Sequence, residues 1–319
     1  MADADPTPTA PTFQPDCLEE AARQWQTDGW AVIDGAVDSA KAATALAELR
    51  ASARSGPGGS VRRADRRGRG PVDDPEDRSA RFRDAQFDGT TLFPVEDCPT
   101  LNRLFVDPGL LRFAAAALGT DDLRIYQARV WSKRGGHVDY DQPTHRDGNH
   151  SIVPIANRPG WWHLECFVYL QDVDSTNGAT GLVPGHVDRA GLGERAPAAD
   201  RVAALRRAEV VAAGRAGTIM AYRSDIWHRG RNLSPDAERD ILVVSFRPAE
   251  AEWISFDAFG PMVNRQDWIS FAESSTPAEL ALFGVPPPGH RYWDRATVDA
   301  LGALYPQLNV TPWRDALSD

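Results

Sequence analysis

The chain has 319 residues, of which 42% are hydrophobic and 25% charged, and its formal net charge is −10. This length and composition predict one elaborated globular domain, and the acidic balance argues against nucleic acid or an anionic membrane as partners. The three cysteines, Cys17, Cys98 and Cys166, are far apart, and no apolar run reaches 18 residues. We therefore expect no disulfide framework, no cysteine zinc site and no membrane span, and a cytoplasmic location is the simplest interpretation.

The first third of the chain is predicted to be mostly helical. Residues 1–15 contain four prolines and few apolar residues, so they are expected to be a disordered tail. Asp16, with Glu19 three residues later, has the pattern of a helix N-cap. Periodic apolar residues predict helices at about 16–28, 38–53, 100–105 and 107–118, with a short strand at 30–33.

A stretch rich in arginine, glycine and proline covers residues 55–75. Such a composition buries too little apolar area to order itself, so a flexible solvated loop is the simplest interpretation. An electropositive lip that attracts an anionic substrate is the alternative. A nucleic-acid arm is a weaker third option, because no aromatic residues are interleaved to stack on bases.

Strand patterns dominate from residue 123 onward. Residues 187–206 read as a polar excursion, and the aromatic residues after position 250 predict an extension, 251–319, that packs on the core. Short strands separated by glycine and proline turns indicate an antiparallel sandwich or barrel flanked by helices, which is a mainly β fold. The predicted strands are 123–132, 161–173, 179–183, 209–212, 217–222 and 239–247.

The segment Thr144–His150 contains the sequence His145-Arg146-Asp147. In an extended segment, residues i and i+2 point to the same side, so an imidazole and a carboxylate can converge on one metal ion. His228, which follows a predicted strand, can complete a site of two histidines and one carboxylate, the arrangement that leaves open positions on Fe(II). A His-x-Asp pattern alone is common, so further evidence is needed.

Arg239 provides that evidence. It begins an apolar strand and shares a face with Ile241, Val243 and Ser245, so its guanidinium is expected to point inward. A buried charge needs an anionic partner, and a guanidinium binds a carboxylate through two hydrogen bonds. The sequence leaves open whether this carboxylate belongs to the protein or to a bound molecule.

Three segments together resemble the phytanoyl-CoA dioxygenase family of Fe(II)- and 2-oxoglutarate-dependent oxygenases. The first is His145-x-Asp147, the second is the run Asn177 to His186, and the third spans His228 to Arg239. The segment Gln26 to Ile33 also resembles the opening helix–strand unit of that family. The resemblance implies a double-stranded β-helix (jelly-roll, cupin-like) core in a catalytic domain over residues 16–250.

The family resemblance also implies roles for individual residues. His145, Asp147 and His228 would bind Fe(II), Arg239 would bind the 5-carboxylate of 2-oxoglutarate, and Lys133 is a further candidate contact for this cosubstrate. Together with O2, these cofactors would hydroxylate an aliphatic C–H bond of a small molecule and release succinate and CO2. Related halogenases carry Ala or Gly in place of the acidic ligand, so Asp147 favours hydroxylation or desaturation over halogenation.

Two departures concern the surroundings of the predicted site. The family often has Ser or Thr two residues after the distal histidine, where this chain has Gly230. The turn that contains His186 is one residue shorter than usual, and we interpret His186 as a turn residue or a neighbour of the ligands. Several residues near the predicted site in sequence could line a substrate pocket: Gln127, Trp131, Asn149, Trp161, Trp162 and Trp227. Core packing is the simpler role for each Trp.

Two alternatives remain at this stage. One is a cupin-type metal enzyme that does not use 2-oxoglutarate and therefore does not need Arg239. The other is a non-catalytic jelly-roll binding module with a vestigial site.

Overall fold

The computed structural model describes residues 7–55, 89–135, 141–147, 150–151, 159–191 and 194–317. The first six residues of the predicted tail and the arginine-rich stretch from residue 56 onward lie outside these ranges.

Helix α1 (Leu18–Asp28) and strand β1 (Trp30–Ile33) form the opening unit. One face of α1 is buried through Ala21, Ala22 and Trp25, as the apolar periodicity predicts. The helix ends at Gly29, whose φ of 85° suits a residue without a Cβ. The predicted cap is wrong, because the N-cap position is taken by Cys17 and no side chain caps the helix.

Residues 7–13 are ordered, although their composition predicts a disordered tail. The backbone N–H of Ala10 donates to Val211 O at 2.8 Å, and that of Phe13 donates to Val32 O at 2.8 Å. Ala10 is also buried in the core. Hydrogen bonds to strand edges thus order residues 7–13, which composition alone does not reveal.

The remaining helices surround the sheets. One of them, Ala199–Arg207, lies at the end of the predicted polar excursion 187–206, for which the sequence predicts no helix. Only Leu205 of this helix is buried, so its apolar period is weak. In chain order the helices are α2 (Ser39–Ser55), α3 (Pro99–Leu104), α4 (Pro108–Leu118), α5 (Ala199–Arg207), α6 (Gln266–Glu273), α7 (Pro277–Ala281), α8 (Arg295–Leu304) and α9 (Thr311–Asp315). None of the helices in the described ranges is long and apolar enough to cross a membrane.

Two antiparallel sheets form the centre of the fold, as the strand patterns predict. The strands after β1 are β2 (Thr90–Leu92), β3 (Leu123–Arg134), β4 (Leu164–Tyr169), β5 (Gly181–Leu182), β6 (Val210–Val211), β7 (Ile219–Arg223), β8 (His228–Arg229) and β9 (Glu238–Pro248). The larger sheet has the strand order β1-β7-β4-β9-β3-β2, and the smaller has the order β6-β5-β8. Several strands are shorter than predicted, and β4 covers only about half of the range 161–173.

The two faces of the larger sheet have different partners. On the outer face, Leu242, Val244 and Phe246 of β9 pack in one cluster with apolar residues of α1, α3 and α4. Trp268 and Trp313 of the C-terminal region belong to the same cluster. On the inner face, residues of β4, β7 and β9 pack with Leu182 and Val211 of the smaller sheet. The alternation of strand side chains therefore separates a helix-covered core from a space between the sheets.

Candidate metal centre

His145 and His228 lie side by side because their backbones pair. His145 N donates to His228 O at 3.0 Å and His228 N donates to His145 O at 2.9 Å, as in a hydrogen-bonded antiparallel pair. Side chains of such a pair point the same way, and the two ring centroids are 4.4 Å apart. His228 thus lies within a short strand, β8, and not merely after a strand end as expected.

Asp147 completes the group. Its Oδ1 is 3.9 Å from His145 Nε2 and its Oδ2 is 3.6 Å from His228 Nε2. The three potential ligand atoms all lie within 4.8 Å of one another. The structure therefore brings together the three residues for which the sequence predicts a shared metal.

Both rings have their Nδ1 atom engaged elsewhere. His145 Nδ1 is 2.8 Å from Pro143 O, and His228 Nδ1 is 3.1 Å from Ile226 O. A carbonyl oxygen only accepts, so in each case Nδ1 carries the hydrogen and Nε2 keeps its lone pair. The lone pairs that could bind a cation are thus on the atoms that face Asp147.

The protonation states also suit a metal. Burial alone would raise the pKa of Asp147, but His228, His150, His145 and the hydroxyl of Tyr222 together hold that pKa below its usual value. Burial and the nearby His145 lower the pKa of His228 to about 4. A carboxylate and neutral imidazoles are the forms that bind metal, and this donor set fits Fe(II) with positions left open.

Lys133 and Arg239 form a buried pair of like charges at one end of the inner face. They are directly opposite each other on β3 and β9, and their exposed fractions are 3% and 2%. Within the described part of the chain, neither has a carboxylate at ion-pair distance, and Arg239 Nε has no hydrogen-bond partner. The guanidinium of Arg239 donates instead to Gly178 O, and Lys133 Nζ lies 4.3 Å from the centroid of the Trp131 ring.

This cation pair is costly without an anion. Burial, and then the charge of Arg239, keep the pKa of Lys133 well below its usual value. Burial lowers the pKa of Arg239 to about 10. A buried charge without a partner is unfavourable by several kcal/mol, so an anion bound beside the two side chains would stabilise them. The protein carboxylate that was one expected partner of Arg239 is not found among the described residues.

Gly230 connects the cation pair to the triad. A Cβ atom at Gly230, two residues after His228, would lie 3.2 Å from Lys133 Nζ and 2.9 Å from Gln142 Oε1. The ammonium of Lys133 therefore occupies the space next to the position where the family often has Ser or Thr. A side chain at this position would therefore require Lys133 or Gln142 to shift.

A row of polar side chains crosses the inner face beside Asp147. Tyr222 of β7, Glu165 of β4, Ser245 of β9 and Gln127 of β3 are successive cross-strand partners. Tyr222 donates to Asp147 Oδ2 at 2.7 Å, so the row begins at the triad. Sequence reasoning did not single out Tyr222 or Glu165, although a glutamate in the strand Leu164–Tyr169 is a signal, since every residue of β4 is buried.

Other candidates lie away from the triad. His186 pairs with Asp28 at 3.0 Å through Nδ1, and its side chain is 71% exposed. Trp227 is buried in a small cluster with Val183 and Leu205, and Trp162 packs 4.2 Å from the guanidinium of Arg223. These two tryptophans serve core packing. Asn149 lies outside the described residues.

Comparison with solved structures gives several similar folds. The epimerase SnoN, in complex with Fe3+, alpha ketoglutarate and nogalamycin RO, is 22% identical with a TM-score of 0.53, covering 74% of this chain and 85% of SnoN. AviO1 from Streptomyces viridochromogenes Tue57 is 18% identical with a TM-score of 0.50, covering 75% and 98%. EvdMO1 is 16% identical with a TM-score of 0.52, covering 73% of this chain and 50% of that protein.

These likenesses confirm the predicted mainly β fold with flanking helices. No curated protein is significantly similar in sequence. Residues 25–240 match the family described as phytanoyl-CoA dioxygenase (PhyH), which is more than half of the 319 residues. With the fold and the grouping of His145, Asp147 and His228 in place, this match shows that the chain belongs to the phytanoyl-CoA dioxygenase (PhyH) family.

Proposed function

We propose that the protein is an Fe(II)- and 2-oxoglutarate-dependent oxygenase that acts on a small molecule. The observation that carries this proposal is the buried pair Lys133 and Arg239, which has no carboxylate partner in the described part of the chain and adjoins the triad through Gly230. A dicarboxylate can bind a metal through one end and this pair through the other. SnoN, which is similar in fold, binds Fe3+ and alpha ketoglutarate.

Each residue has a distinct task in this proposal. His145 Nε2, His228 Nε2 and a carboxylate oxygen of Asp147 hold the iron. The planar guanidinium of Arg239 binds the distal carboxylate, and the ammonium of Lys133 adds a point charge. The apolar walls formed by Phe167, Tyr169 and Ile241 keep water out, which strengthens these contacts. When bound, iron, 2-oxoglutarate and O2 together supply the oxidising chemistry that yields succinate and CO2.

We further propose hydroxylation of an aliphatic C–H bond, with desaturation as the other outcome that the site allows. The carboxylate of Asp147 would occupy one ligand position of the iron, where the Tyr222 hydroxyl donates a hydrogen bond to it. This position is therefore not open to a halide. The substrate class stays broad. An anionic substrate is favoured only by the arginine-rich sequence at 55–75, which lies outside the described residues.

Anaerobic titration tests the proposal directly. Adding Fe(II) and then 2-oxoglutarate to the apo protein should produce a weak visible charge-transfer band, and Arg239→Ala should shift its midpoint to higher 2-oxoglutarate by tenfold or more. Arg206→Ala, at an exposed position of α5, is the matched control and should behave like the wild type. A wild-type protein that binds Fe(II) but gives no band would contradict the use of 2-oxoglutarate.

Two other functions predict different results. A cupin-type enzyme without 2-oxoglutarate would bind iron and keep its activity in Arg239→Ala. A non-catalytic binding module would take up no Fe(II) while remaining folded. The cation pair favours the oxygenase, because 2-oxoglutarate supplies a carboxylate for it while its other end reaches the metal.

A further inference from the structure

A second group of potential ligands lies on the inner face. His150, His163 and Glu165 are all buried, and one nitrogen or oxygen atom of each lies within 4.8 Å of the others. His150 Nδ1 is 2.8 Å and His163 Nε2 is 3.4 Å from Glu165 Oε1. Glu165 is the cross-strand partner of Tyr222, so this cluster adjoins the iron triad but shares none of its residues.

Tyr126 joins the cluster through an irregularity in β3. The register of β3 and β9 shifts between Ile125 and Gln127, so Tyr126 is the extra residue of a β-bulge. In a regular strand its side chain would point away from that of Gln127, which is on the inner face. Its hydroxyl instead donates to Glu165 Oε1 and lies 3.5 Å from His150 Nδ1. Bulges are typical of sites where one side chain must be re-aimed.

The burial of His163 is not compensated by hydrogen bonds within the described part of the chain. Its exposed fraction is zero, yet among the described residues neither ring nitrogen has a hydrogen-bond partner. The 3.4 Å approach of Nε2 to Glu165 Oε1 lacks hydrogen-bond geometry, which makes it a close contact of two potential ligands. Leaving a buried polar group without a partner costs about 1–3 kcal/mol per group. A cation bound at Nε2 would remove part of this cost.

We propose that His150, His163 and Glu165, with the hydroxyl of Tyr126 as a fourth donor, form a second metal site for a divalent first-row cation, zinc being the best match. Two imidazoles, a carboxylate and a phenol oxygen are donors that Zn(II) accepts, and complete burial resembles a closed structural site. The site would tie the loop that carries Asp147 and His150 to β3 and β4. It would thereby fix the position of an iron ligand.

The spacing of the donors supports a tetrahedral ion. Ligands about 2.0 Å from a tetrahedral centre are about 3.3 Å from one another. The His163–Glu165 and Tyr126–His150 distances of 3.4 and 3.5 Å have this value. The two shorter separations, from Glu165 to His150 and to Tyr126, are hydrogen bonds. They lengthen when a cation replaces the bridging protons.

Cobalt(II) is the probe, because it replaces zinc and gives stronger visible bands in four-coordinate than in six-coordinate sites. The full chain is loaded with excess Co(II), desalted and analysed for metal. We expect two Co(II) per wild-type chain and one in the triad variant His145→Ala Asp147→Ala. The remaining ion should give the bands of a four-coordinate site. A folded triad variant that retains no Co(II) overturns the proposal.

A second variant separates the site from adventitious binding. Glu165→Gln keeps the size of the side chain but weakens a ligand, so in the triad-variant background it should abolish the remaining Co(II) and its bands. The control is His290→Ala, a change at an exposed histidine. Made in the otherwise wild-type protein, it should leave both Co(II) ions bound. Far-ultraviolet circular dichroism verifies that each variant is folded. Retention of Co(II) with unchanged bands in the Glu165→Gln protein contradicts the assignment.

Discussion

The hydroxyl of Tyr222 donates a 2.7 Å hydrogen bond to Asp147 Oδ2 and thereby fixes the orientation of this carboxylate. The ring of Tyr222 also lies against His228, with centroids 4.3 Å apart. One residue of β7 therefore positions two of the three proposed iron ligands. Groups that orient metal ligands in this way commonly contribute tenfold to a hundredfold to metal affinity.

Tyr222→Phe should therefore weaken Fe(II) binding by roughly tenfold to a hundredfold, because the carboxylate loses its orienting donor while the ring contact with His228 remains. Competition with a coloured chelator under anaerobic conditions measures the affinity. Tyr169→Phe is the control, because its hydroxyl donates to Ala212 O on the same inner face but away from the triad. Equal Fe(II) affinity in the two variants would show that the Tyr222 hydroxyl does not position Asp147.

Removing Lys133 should have opposite effects on stability and on cosubstrate binding. In Lys133→Met the apo protein loses one of two buried like charges, so its free energy of unfolding should rise by about 1–3 kcal/mol. The half-saturating 2-oxoglutarate concentration should rise by roughly tenfold or more, because a charged hydrogen bond is lost. Denaturant unfolding and 2-oxoglutarate titration measure the two effects.

The control for this change is Lys41→Met, at a lysine whose side chain is 58% exposed. It should alter neither quantity appreciably, since exposed ion pairs contribute little. If Lys133→Met instead destabilises the apo protein and leaves 2-oxoglutarate binding unchanged, Lys133 is a structural residue.

Local patterns predict the regular elements well. The helices at 100–105 and 107–118 and the strand at 239–247 follow from apolar periodicity, and the structure has them at Pro99–Leu104, Pro108–Leu118 and Glu238–Pro248. Spacing also pairs His145 with Asp147, whereas the family resemblance implies that His228 belongs with them. Periodicity works for the two helices because each buries one face, and the strand is recognised by its run of apolar residues, which are buried on both faces of the sheet.

Features that depend on pairing between distant strands escape such patterns. The bulge at Tyr126 exists only because β3 pairs with β9, and the row from Tyr222 to Gln127 exists only because β7, β4, β9 and β3 are neighbours. The ordering of residues 7–13 likewise depends on partners at Val32 and Val211. No local signal carries this information, because register is set by the tertiary fold.

A serine hydroxyl at position 230 should partly replace Lys133 in binding 2-oxoglutarate, but only in a protein that lacks the Lys133 side chain. Gly230→Ser places a Cβ 3.2 Å from Lys133 Nζ, so in the wild-type background it should weaken 2-oxoglutarate binding. In Lys133→Ala the contact with Lys133 Nζ is removed and only Gln142 Oε1, at the end of a flexible side chain, has to shift, so the new hydroxyl should restore part of the lost affinity. The four proteins form a double-mutant cycle measured by 2-oxoglutarate titration. If the effects of the two changes on 2-oxoglutarate affinity are additive, the side chains at positions 133 and 230 do not compete for the same space.

The ion pair of His150 and Glu165 should contribute stability to the apo protein that is lost at mildly alkaline pH. The lowered pKa of Lys133 changes the stability in the opposite direction below its usual pKa, so the contribution of the ion pair is measured as a difference between two variants. Burial lowers the pKa of His150, but Glu165 outweighs this effect and raises it from 6.5 to about 9. A raised histidine pKa stabilises the fold fully below pH 6.5, and the contribution is lost as the pH rises through about 9. At about 1.4 kcal/mol per pH unit, the loss is on the order of 3 kcal/mol. The pKa values of His163 and His228 are lowered to about 4, so their effects fall on the acid side of this window.

Glu165→Gln removes the charge that raises the pKa of His150, so the difference in free energy of unfolding between the wild type and this variant should change by about 3 kcal/mol, against the wild type, between pH 6.5 and 9. Urea unfolding of metal-free protein, in the presence of a chelator, measures both curves under identical conditions. His290→Ala, which removes an exposed histidine, should keep the wild-type slope. Parallel curves for the wild type and Glu165→Gln would mean that His150 is neutral in the folded protein and that Glu165 does not hold a proton on it.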